Sequence, residues 1–93
     1  MDMKKEEYER VIGIAKKVID KWDPIGLLAM GAPADEYSFE ISDIAAVALK
    51  VNDSETLAKS IQDIFIKYFG SGSFRNSFEE CREIATKLKL AMK

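Results

Sequence analysis

Along four segments of the chain, apolar residues recur three and four positions apart, with polar residues filling the positions between them. In the first segment they fall at Tyr8, Val11, Ile12, Ala15, Val18, Ile19 and Trp22, a spacing that gathers them on one side of a helix. Lys5, Glu9, Lys16 and Asp20 occupy the other side as a solvated face, and Asp2 is placed to cap the start. Leu57, Ala58, Ile61, Ile64, Phe65 and Tyr68 repeat the spacing and predict a helix over residues 53–69. Asn52 and Glu55 stand there as a capping box, and Gly70 is suited to end the helix in a left-handed conformation. A last stripe of Phe78, Cys81, Ile84, Ala85 and Leu88 follows a second capping box, Ser77 with Glu80, and predicts a helix to near the C-terminus.

The remaining periodic segment begins at Ser38, an N-cap by residue type, and directs Ile41, Ile44, Ala45, Ala48 and Leu49 inward. Ala46, Val47 and Val51 make it apolar on more than one side, as expected of a central helix with two neighbours. No segment alternates apolar and polar residues long enough for a strand, and no internal repeat is visible. The pattern predicts an all-α fold, a compact bundle of four main helices with a short helical corner between the first and second. A length of 93 residues suits one small core, so residues 1–93 are expected to form a single helical domain.

The corner, WDPIGLLAMGAPADEY from Trp22 to Tyr37, holds both prolines and two of the five glycines. Asp23 before Pro24 has the form of an N-cap followed by the first helical position, which predicts one short turn of helix through Ile25-Gly26-Leu27-Leu28-Ala29. Gly31 can close that turn with positive φ, and Pro33 extends Ala32. Burying a large apolar side chain stabilises by roughly 1.5–3 kcal/mol, so most of Ile25, Leu27, Leu28 and Met30 should fold back onto the helices. Trp22, Asp23, Pro24, Gly26 and Pro33 are thus expected to shape a corner that plugs one end of the bundle. An ordered loop on a rigid scaffold is also a common place for a recognition surface.

Charge sharpens this expectation. The net charge is −2, but residues 22–66 carry eight acidic and two basic side chains, whereas residues 67–93 carry three acidic and six basic. An acidic middle disfavours nucleic acid, whose phosphates require clustered Lys and Arg, and favours a basic protein partner. The N-terminus lacks the basic head and apolar stretch of a secretory signal, and no apolar run approaches the roughly 18 residues of a membrane span. With Cys81 as the one cysteine, no internal disulfide can form, in keeping with a reducing cytoplasmic setting.

Histidine is absent, which removes the usual general base and the usual partner of a nucleophilic Ser or Cys. Cys81 lies on an apolar stripe and is expected to be a buried, inert thiol; alone and without imidazole it cannot make an ordinary zinc site. Asp20, Asp23, Asp35, Glu36, Glu40 and Asp43 flank the corner, and if brought together they would suit a hard cation or acid–base work. They lack the EF-hand order, and each has a simpler role as a cap or a solvated charge, so no catalytic residue, metal or cofactor is assigned. The stretch GSGSFRN at 70–76 offers amides, hydroxyls and Arg75 ahead of a helix, an arrangement open to an anion. It lacks the Gly-Lys-Ser/Thr of a phosphate loop and reads foremost as a helix connection. Tyr37, Phe39 and Phe74 lie at helix edges or in loops, where they either anchor a partner or pack on one another.

Trp22-Asp23-Pro24-Ile25-Gly26, then Ala32-Pro33, Asp35-Glu36-Tyr37 and Glu40-Ile41, and finally Phe69-Gly70 between two helices together resemble a small bacterial family of unknown function, the YugE-like proteins. The resemblance covers nearly the whole chain and implies a compact helical domain, with no activity or catalytic residue attached. In size and charge the chain is also similar to some antitoxin-like immunity proteins. The expectation is a non-enzymatic protein-binding module, immunity- or adaptor-like, whose acidic face presents Asp35, Glu36 and Tyr37 as direct contacts. The alternative is a small enzyme or ligand- or cation-binding domain using the carboxylates around residues 20–43. Convergence of three or more of them on one concave pocket would favour that alternative, and a flat acidic face would favour binding.

Overall fold

The four periodic stripes meet in one interior. In the computed structural model, which describes residues 3–93, the helices are α1 (Met3–Trp22), α2 (Ser38–Lys50), α3 (Ser54–Phe69) and α4 (Phe78–Met92). No strand occurs among the described residues, and Asp2, expected to cap α1, lies outside them. Val11, Ala15 and Ile19 of α1 bury fully against Ile44 and Ala45 of α2, Leu57, Ala58, Ile61 and Phe65 of α3, and Cys81, Ala85 and Leu88 of α4. The protein is therefore all-α, with four main helices around a shared core, as the spacing predicts.

The helices form a ring in which α1 packs against α2 and α4, and α3 packs against the same two. Consequently the seam between α1 and α4 lies across the bundle from the seam between α2 and α3. α1 and α4 run antiparallel: Arg10 donates to the Met92 carbonyl at one end (3.2 Å), and Trp22 Nε1 donates to Glu80 at the other (3.4 Å). α2 touches both α1 and α3, which accounts for its apolar breadth and leaves Ala46, Val47 and Leu49 half-buried. Its last turn is closed from outside, as Lys89 Nζ donates to the carbonyls of Ala48 (3.0 Å) and Val51 (2.5 Å). A cation there also opposes the negative end of the helix dipole.

Several helix ends differ from the sequence reading. The cap of α3 is Asp53, not Asn52: its carboxylate accepts from the Thr56 N–H at 2.8 Å. Ser77 does cap α4 by accepting from the Glu80 N–H, but the Glu80 side chain turns to Trp22 and Asn76 instead of back to Ser77. The box is thus half-formed. Ser38 is the first residue of α2; the cap position is Tyr37, which makes no side-chain cap. Gly70 ends α3 with φ +81° but ψ 156°, an extended mirror conformation that is essentially restricted to glycine and is not the left-handed helical one.

The corner forms no helix. It winds through hydrogen-bonded turns from Asp23 to Tyr37, because Asp23, Gly26 and Gly31 all take positive φ (48°, 81° and 95°), which a right-handed helix does not admit. Ile25, Leu27 and Leu28 pack on the core as expected, whereas Met30 stands 74% exposed.

Candidate functional site

Asp23 and Tyr37 clasp the two ends of the corner. The Tyr37 hydroxyl donates to Asp23 Oδ1 at 2.6 Å and accepts from the N–H groups of Ile25 and Leu27 at 3.3 and 3.4 Å. Asp23 also accepts from the N–H groups of Leu28 (3.1 Å) and Ala29 (2.9 Å). Instead of capping the next turn in the usual register, it reaches five and six residues onward, which its left-handed backbone permits. Burial alone would raise the Asp23 carboxyl; the hydroxyl of Tyr37 and the N–H groups of Ala29, Leu28 and Gly26 outweigh it and hold it below the usual 3.8. Burial, then the bond to Asp23, pushes Tyr37 up to about 12.

Tyr37 is therefore not a surface contact. Its side chain is fully buried, set edge-on to Phe65 (5.9 Å) and Phe69 (6.2 Å). Phe65 in turn stacks on Phe74 at 5.2 Å and meets the edge of Trp22 at 5.7 Å. A single apolar residue beside three polar ones reads as exposed in sequence, but here its ring closes an aromatic cluster at the corner end of the bundle. Phe74 is likewise 4% exposed and pins the 70–76 loop, whose Arg75 turns its Nε onto the loop's own Gly72 carbonyl at 2.9 Å.

The flanking carboxylates disperse. Asp20 pairs with Lys16 at 2.7 Å, Asp23 is taken up by the corner, Asp43 accepts from the Tyr68 hydroxyl at 2.8 Å, and Asp35 and Glu36 are exposed. Among the described residues, no three Asp, Glu or Cys side chains come together in a way that could hold a metal ion. Glu40 is the exception in burial: it is 3% exposed, and one of its carboxylate oxygens has no hydrogen-bond partner. Burial, assisted by the charges of Asp43 and Glu36, raises its carboxyl above the ordinary value, against a bond from its own N–H that lowers it.

Around Glu40 the surface is both acidic and aromatic. Phe39, in the first turn of α2, is 71% exposed, and Tyr68 is 41% exposed. Asp43 links them, lying one turn beyond Phe39 on α2 and bonded to Tyr68 on α3. Lys67 sits over the Tyr68 ring at 5.4 Å. Tyr68 lies on an apolar stripe whose spacing points it to the core, but the seam between α2 and α3 leaves it at the rim. The sequence marks Phe39 only as an aromatic at a helix edge.

Two open grooves lie between neighbouring helices. One of about 510 Å³ is lined by Glu7 and Tyr8 of α1 and by Ala46, Leu49 and Lys50 of α2; the other, about 560 Å³, lies between α1 and α4. No helix among the described residues is long and apolar enough to cross a membrane.

The family model for a domain of unknown function, DUF1871, matches residues 14–93, and the chain belongs to that family. No curated protein and no solved structure matches it.

Proposed function

We propose that this family member is a non-enzymatic protein-binding module whose contact face is the acidic, aromatic surface at the start of α2. The observation that carries the reading is Phe39. A phenylalanine left 71% exposed at a helix start forgoes the roughly 2 kcal/mol that burial would supply, and large aromatics are the residue type that most often anchors a binding partner. Tyr68 extends the apolar area, while Asp35, Glu36 and Asp43 surround it with negative charge that Lys67 offsets only in part. That combination fits a partner segment with an apolar side chain flanked by Lys or Arg. Asp35 and Glu36 keep their expected role as contacts, and Phe39 takes the place of Tyr37.

The test is capture of partners from the host extract on the tagged protein, compared with Phe39→Ala and with the double charge reversal Asp35→Lys, Glu36→Lys. Both variants should fold with an unchanged melting temperature and lose the same captured protein, and salt should weaken that capture in the parent. A captured protein retained by both variants at low salt overturns the reading.

A further inference from the structure

The groove between α1 and α4 has the opposite character to the acidic face. Its floor is Val18, Trp22 and Ile84, and its rim is Lys17 and Lys21 on one wall and Lys87 on the other. Lys17 and Lys21 are four residues apart and so project from one side of α1, and Lys87 stands three residues after Ile84 on α4. All three lysines are exposed, and none forms an ion pair among the described residues. Asp20 is occupied by Lys16, and Glu83, although one turn from Lys87, makes no bond to it. The sequence holds the signal for this rim, three lysines spaced around apolar stripe positions, but not that the two stripes adjoin.

We propose that this groove docks an acidic amphipathic helix from a partner protein, its apolar seam on Trp22 and its carboxylates between the two lysine walls. An enclosed small-molecule site converges a few polar groups on its floor; here the floor is apolar and every charge is at the rim, on both sides. Laying a helix face into such a channel matches apolar surface below with charge above. Because the α1/α4 seam lies across the bundle from the α2/α3 seam, the groove and the Phe39 face can be filled at once by partners of opposite charge, as an adaptor requires. The groove proposal stands independently of the Phe39 face.

Trp22 is the sole tryptophan of the chain, so its emission reports on the groove directly. The probe is a synthetic peptide of about 18 residues, about five helical turns, with Leu at helical spacing, Glu on both flanks and no tryptophan. It should shift Trp22 emission saturably, with half-saturation below about 100 μM, and weaken as salt is added. Lys17→Glu with Lys21→Glu, and separately Lys87→Glu, should each raise the half-saturation at least about tenfold while their melting curves match the parent. Phe39→Ala should leave the titration unchanged. A Leu/Lys peptide of the same spacing should give no shift. The proposal is overturned if the Leu/Glu peptide gives no saturable shift or if the Leu/Lys peptide matches it. It is equally overturned if polyglutamate or inorganic phosphate reproduces the shift, which would make the groove a plain anion site.

Discussion

The hydroxyl of Tyr37 donates to Asp23 across fourteen residues of chain, at 2.6 Å, and the same oxygen receives the N–H groups of Ile25 and Leu27. One side-chain atom thus closes the corner at both ends and satisfies backbone donors in its middle. Tyr37→Phe keeps the ring among Phe65 and Phe69 but strands two N–H groups and leaves Asp23 Oδ1 with the Leu28 N–H as its remaining donor. Leaving buried polar groups unpaired costs about 1–3 kcal/mol, and urea denaturation should show a loss of that size with little change in slope. Equal stability of the two proteins would mean that water replaces the hydroxyl.

The pair also sets pH limits. Asp23 is held below its ordinary value in the folded protein, so it contributes stability that is present above about pH 4 and is lost as pH falls through the folded value. Tyr37 is held up to about 12 against an ordinary 10.0; its contribution is complete below pH 10 and is lost between 10 and about 12. Tyr37→Phe should flatten the alkaline limb over that window relative to the parent, and Asp23→Asn should flatten the acid limb. Parallel limbs in thermal melts across pH would show that the clasp does not titrate this way.

How far the fold was legible follows from what each residue depends on. Spacing alone marks Ile19, Ile44, Ile61 and Leu88 as core because a helix periodicity is local and repeats. Tyr37 and Tyr68 exchanged places relative to expectation, since their burial is decided by neighbours distant in sequence: Phe65 and Phe69 for one, an open seam for the other. The clasp could not be read from DPIG, because Asp23 leaves the usual capping register through a positive φ, a choice that tertiary contacts make. The candidate face was half legible: the charges of Asp35 and Glu36 were in the sequence, the exposure of Phe39 was not.

Cys81 is fully buried, and burial, then the charge of Glu80, pushes its thiol up to about 11. Since the thiolate is the reacting form, a maleimide or disulfide reagent at neutral pH should label the native protein only as fast as it opens. Denatured protein should react at the rate of a free thiol. Native labelling at that same rate would misplace the inner face of α4.

Lys89 ties α4 to the end of α2 through two carbonyls. Lys89→Met preserves the aliphatic stem and removes the ammonium, leaving the Ala48 and Val51 carbonyls to water and the helix dipole unopposed. The expected cost is about 1–2 kcal/mol, and hydrogen exchange should quicken in the last turn of α2 and in residues 51–53 before it does so elsewhere. A loss of stability spread evenly over all four helices would argue against a local tie.

Glu40 gives the opposite sign. Its carboxyl is raised in the folded protein, by burial first and then by the like charges of Asp43 and Glu36, so ionising it opposes folding: its contribution is favourable below its unfolded value and is lost as pH rises through the folded one. One oxygen is buried with no partner, which adds to the strain of keeping the charge there. Glu40→Gln removes the charge at almost constant shape. At pH 7 this variant should melt on the order of a few degrees higher than the parent, and the gain should shrink as the pH is lowered through the raised folded value and vanish below the ordinary 4.5, where the parent's carboxyl is neutral in both folded and unfolded chains. On the proposed binding reading, Glu40 supports the charge of the face beside Phe39 at a cost in stability. The same variant should therefore weaken capture of a basic partner even as it stabilises the fold. If Glu40→Gln instead destabilises at neutral pH, the carboxylate is serving the first turn of α2 as a structural cap, and its place in the recognition face is withdrawn.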